Sequence, residues 1–94
     1  MAARNISPGT VHGAPADLQK ALVSARAAHA AWEGITPLAR NEWICWIESA
    51  IKPETRIRRI TRTREELIDG MRRPCCWAGC MHRPHNMRRA TLRV

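Results

Sequence analysis

Three prolines set the frame of this chain. Pro15, Pro37 and Pro53 each head a run in which apolar residues recur at spacings of three and four. Proline suits the first helical position, because the N–H it lacks has no intrahelical partner there and its φ is already helical. It also disfavours helical geometry in the preceding residue, so Pro53 closes one segment as it opens the next. After Pro15, the residues Leu18, Leu22, Ala25, His29 and Trp32 share one face, widened by Ala21 and Ala28, until Gly34 stops the pattern. This run fits one long helix over residues 15–33 or two short ones broken near Ser24-Ala25. Thr36 is a hydroxyl N-cap for a second stretch over residues 37–51. There Ala39, Trp43, Trp46, Ile47, Ala50 and Ile51 form a broad apolar arc, opposite Asn41, Glu42, Glu48, Ser49 and Lys52. A third helix is predicted over residues 54–69 with Gly70 as its C-cap. Its stripe is Ile57, Ile60, Leu67, Ile68 and Met71, interrupted by Arg64. Strand-like alternation of useful length is missing.

These runs predict a small all-α bundle of three or four helices over residues 15–71. Ahead of it, residues 1–14, with Asn, Ser, Pro and two Gly, read as a flexible arm. Behind it, residues 72–94 read as an irregular, basic tail containing Cys and His. The expected core is Leu22, Trp32, Trp43, Ile47, Ile57, Ile60 and Leu67. With 45% hydrophobic residues the chain is too apolar to be disordered throughout, and its only aromatics are four Trp. No apolar run approaches the ~20 residues that span a bilayer, and Met1 to Pro8 lacks the apolar segment of a signal peptide. The expected setting is the bacterial cytoplasm, where cysteines stay as thiols or metal ligands.

Charge is unevenly distributed. The formal net charge is +8, and the eleven basic residues after Lys52, all Arg, face only four acidic ones. Arg56, Arg58, Arg59, Arg62 and Arg64 suggest phosphate contacts. On the helical wheel, however, Arg58, Arg59 and Arg62 share a face with Glu65, Glu66 and Asp69, the pattern of a salt-bridged, solvated helix. The tail arginines Arg72, Arg73, Arg83, Arg88, Arg89 and Arg93 lack such partners and suit weak binding to nucleic acid or another anionic surface.

Cys75, Cys76, Cys80 and His82 form a compact thiol–imidazole cluster of the kind zinc takes, with Gly79 allowing a tight turn and His85 nearby. Against that reading, the paired two-residue gaps of strong zinc motifs are missing, and the favoured explanation is an irregular tail bearing reduced thiols. Cys45 reads as a half-buried thiol on the polar arc, and His12 and His29 carry no identifiable chemistry. Trp43 and Trp46, three apart on a helix, read as core before ligand groove. Glu42, Glu48 and Glu54 pair with no His at a telling distance, so no catalytic site is expected; no cofactor is expected either, zinc being the one candidate.

The run from Thr36 to Trp43, then Trp46-Ile47-Glu48-Ser49-Ala50, Lys52-Pro53-Glu54-Thr55-Arg56 and Arg59-Ile60, resembles the helical domain of the YdeI/OmpD-associated, bacteriocin-protection proteins. Pro15, Leu18, Ala21, Leu22, Trp32, Leu67 and Gly70 fit the same pattern, and the resemblance extends over roughly residues 15–83. Ser24-Ala25-Arg26, Arg64, Ala78 and Met81 depart from it. The resemblance implies tolerance of bacteriocins or cationic peptides, or association with an outer-membrane porin, and no catalytic residues. The expected function is therefore a non-catalytic helical module acting through a protein partner, with a small polyanion-binding protein as the alternative.

Overall fold

A computed structural model describes residues 6–74, 77, 79 and 80. Four helices follow in order: α1 (Ala16–Val23), α2 (Arg26–Gly34), α3 (Pro37–Glu48) and α4 (Pro53–Ile68). The described residues contain no strand. The first apolar run is thus two helices. Ser24 turns its hydroxyl back to the Ala21 carbonyl at 2.9 Å, and Ala25 is extended at φ −126°. This break lets Leu18 and Leu22 on α1 and Ala28 and Trp32 on α2 all enter one core.

The start of α3 is as predicted: the Thr36 hydroxyl accepts from the Ala39 N–H at 3.1 Å, ahead of Pro37. Its end is earlier than predicted. Ser49 donates its hydroxyl to the Trp46 carbonyl at 2.8 Å, and the Arg59 guanidinium donates to that same carbonyl and to the Ser49 hydroxyl. Cationic donors at this end satisfy carbonyls that have no further helical partner. The chain leaves the helix before Ile51, which is 96% exposed rather than on the apolar arc.

At the far end of α4 the N–H of Gly70 reaches the Leu67 carbonyl and that of Met71 the Glu66 carbonyl, at 3.0 and 2.9 Å. With Gly70 at φ +96° this is a Schellman ending, which favours a residue without Cβ. α4 buries Ile60, Thr63 and Leu67. Ile57, expected in the core, is 65% exposed, and Ile68 and Met71 also face outward. The predicted stripe was centred too far round the helix: Thr63, whose hydroxyl satisfies itself on the Arg59 carbonyl at 2.7 Å, takes the inward place.

α1 and α4 are further joined by Arg56, which donates to both oxygens of Asp17 at 2.6 and 3.0 Å. The Arg56 guanidinium holds the Asp17 carboxyl below its ordinary 3.8. A depressed folded-state value adds stability above the unfolded pKa, and that stability fades as pH falls through the folded one. Asp17 and Arg56 are both partly exposed, so Asp17→Asn should cost only ~0.2–1 kcal/mol at pH 7. Urea unfolding at pH 7 and again below pH 3 should show the wild-type advantage disappearing in acid. By contrast Trp43, fully buried, should lose ~3–5 kcal/mol on replacement by Ala. A wild-type melting curve for Trp43→Ala would show that its indole does not support the core.

Candidate functional site

α3 is buried along every residue from Ala39 to Ile47. The helices cover only part of it; two non-helical segments cover the rest. Residues 6–14, expected to be a flexible arm, instead lie along α2 and α3. Ile6 is 6% exposed and joins the core, the Ser7 carbonyl accepts from Trp32 Nε1 at 2.8 Å, and the Pro8 carbonyl accepts from Arg40 Nε at 2.9 Å. The N–H groups of Val11 and His12 both donate to Asn41 Oδ1, at 2.9 and 2.8 Å. At Gly9 a Cβ would stand 2.4 Å from the Asn41 Cα, so only glycine permits this approach.

On the other side Trp43 Nε1 donates to the Arg72 carbonyl at 2.9 Å. The Cys80 N–H donates to the Glu42 carboxylate, 3.1 and 3.3 Å from its two oxygens. Asn41 and Glu42, placed on a solvent-facing arc by their polarity, are therefore 0% and 3% exposed. Their side chains hold the backbones of the two covering segments, because a buried N–H must find an acceptor.

Where those segments meet over α3, three donor side chains converge. His12 Nε2 is 3.3 Å from Cys80 Sγ, and the ligand atoms of His12, Cys45 and Cys80 all lie within 4.8 Å of one another. Cys45 and Cys80 are buried and His12 is half-buried. His12 Nδ1 lies 3.8 Å from Glu48 Oε1. Burial first, then contact with Cys80 and the charges of Glu42 and Glu48, pushes the Cys45 thiol up to about 12. Such a group of one imidazole and two thiols is chemically able to hold a metal ion.

Of the metal-ligand candidates read from the sequence, Cys80 belongs to this group; Cys75, Cys76 and His82 lie outside the described residues. The structure supplies two members the sequence reading passed over, His12 and Cys45. His12 and Cys80 are 68 positions apart, and no local spacing could have joined them.

The α4 arginines are largely engaged within the fold. Arg59 and Arg62 lie over the Trp46 ring, 5.1 and 5.6 Å from its centroid. Arg62 also pairs with Glu66 at 2.8 Å, as its spacing predicted. Trp46 meets Trp43 edge-on, with centroids 5.8 Å apart, so both indoles act as core.

A four-helix all-α body whose central helix is bonded by non-helical residues ahead of α1 and after α4 defines the class of protein. Residues 14–70 match the family described as bacteriocin-protection, YdeI or OmpD-associated (OmdA), and the chain belongs to that family. The match ends where α4 is capped, so the tail lies beyond it. No curated protein and no solved structure matches the chain. Among the described residues, no helix is long and apolar enough to cross a membrane.

In the metal-free protein, the burial and raised pKa of Cys45 leave almost no thiolate at pH 8. Iodoacetamide should therefore spare Cys45 in the folded chain and modify it in urea, as peptide mass spectrometry would read. Rapid labelling without denaturant would show that the segments covering α3 open freely.

Proposed function

We propose that this protein is a non-catalytic helical interaction module that contacts a protein partner through the outer flank of α4. The observation that carries this reading is the exposure of Ile57 and Ile68, 65% and 51%, on an otherwise highly charged helix. With Thr61 and Arg64 they fall at spacings of four, three and four, and so share one flank. Two exposed isoleucines with Thr61 and Arg64 between them suit a partner that presents apolar groups among acidic ones. The excess of arginine after Lys52 speeds encounter with such a surface without selecting it. Membership of the bacteriocin-protection family supports a part in tolerance of bacteriocins, and the buried thiols suit the reducing bacterial cytoplasm. In this reading a metal at the thiol–imidazole group, zinc being the ion those donors suit, fastens the module and takes no part in a reaction.

The test is a paired comparison. Ile57→Glu with Ile68→Glu should leave unfolding within ~0.5 kcal/mol per site, as surface changes do. The same variant should abolish capture of the partner that the full chain retains at moderate salt. Deleting residues 81–94, which include Arg83, Arg88, Arg89 and Arg93, should slow association while leaving the captured partner the same. Undiminished capture by the double Glu variant, together with nucleic-acid binding that collapses with salt, would replace the module by a polyanion-binding protein.

A further inference from the structure

We propose that His12, Cys45 and Cys80 form a zinc site that ties the segment at residue 12 and the segment at residue 80 to the centre of α3. The geometry supports coordination. Zinc–sulfur bonds of about 2.3 Å and zinc–nitrogen bonds of about 2.0–2.1 Å in a tetrahedron separate a sulfur from a nitrogen by roughly 3.6 Å. His12 Nε2 and Cys80 Sγ stand 3.3 Å apart, and Cys45 Sγ is within 4.8 Å of both. Small side-chain rotations would bring the three to bonding distance around one ion.

Charge points the same way. On binding, each thiol loses its proton to solvent, and two thiolates neutralise a divalent cation, so no net charge is buried. The acidic neighbours, Glu42 on the Cys80 N–H and Glu48 on the far side of His12, favour a cation further. Glu48 is a positioning residue. Facing His12 Nδ1 at 3.8 Å, it favours the tautomer that carries its proton there and presents the Nε2 lone pair on the side of Cys80. Solvent completes the fourth position on the side where the His12 ring is partly exposed, its side chain 19% accessible.

Zinc here would fasten three segments distant in sequence, adding to the hydrogen bonds at Asn41, Glu42 and Trp43. The site is independent of the α4 flank, and either can fail alone.

The experiment uses the full reduced chain, loaded with zinc, passed through a desalting column and assayed for metal. Wild type should retain about one equivalent and melt at a higher temperature than the stripped protein. His12→Gln, a change on a partly exposed segment, should keep the helical circular dichroism yet lose the zinc and the thermal shift. Glu48→Gln should weaken zinc affinity roughly 10- to 100-fold, as loss of a supporting carboxylate does. Cobalt in place of zinc should give the intense visible bands of a tetrahedral thiolate site, and these should vanish in Cys45→Ser. Retention of zinc by His12→Gln, or no retained metal in reduced wild type, overturns the proposal. A Cys45–Cys80 disulfide in place of bound metal, found by mass spectrometry in chain kept under reductant, overturns it too.

Discussion

The structure depends on satisfying the polar groups of a helix that is buried on every side. α3 carries Trp43, Ile44 and Ile47 at full burial, but also Asn41 and Glu42 at nearly the same depth. A buried polar group without a partner costs about 1–3 kcal/mol. Arg40, the Asn41 carbonyl oxygen and Glu42 offset that cost by bonding the backbone of residues 8, 11, 12, 35 and 80, while Asn41 Nδ2 stays buried without a hydrogen-bond partner among the described residues. The same bonds satisfy chain segments that have no helix or sheet of their own. Side-chain acceptors on α3 meet backbone donors of the covering segments, so each stabilises the other.

This arrangement explains how so short a chain assembles a core from few large side chains. Trp32 and Trp43 are fully buried, yet each indole N–H is used, on the Ser7 and Arg72 carbonyls. Tryptophan brings a large apolar surface and one donor that needs a partner when buried. Here the two donors reach different covering segments, so the two fully buried tryptophans hold the backbone at Ser7 and at Arg72. The thiol–imidazole group sits where residues 12 and 80 meet, beside the carboxylates of Glu42 and Glu48.

α4 shows how one helix serves two demands. Its inner face gives Ile60, Thr63 and Leu67 to the core, and Arg59 ends α3 by holding the Trp46 carbonyl. Arg56 ties it to α1, and Arg59 and Arg62 shield the Trp46 ring. Its outer flank keeps two isoleucines in water that the core does not need. Burial of that flank requires something beyond the described residues.

The sequence by itself determined the all-α class, the helix starts at Pro37 and Pro53, the Gly70 ending and the Arg62–Glu66 pair. All of these are local: they depend on the φ of proline, a hydroxyl cap, the freedom of glycine at positive φ, or neighbours one helical turn apart. The family was legible for a related reason, since its motif lies within the helical stretch that matches it. What only the tertiary structure decided is long-range. Polarity placed Asn41 and Glu42 in water, while periodicity placed Ile57 inside. Each reading failed because burial is set by what covers a residue, and the cover for α3 comes from segments with no periodic pattern to read. Side-chain type states what a group needs; only the folded chain decides whether water, backbone or another side chain supplies it.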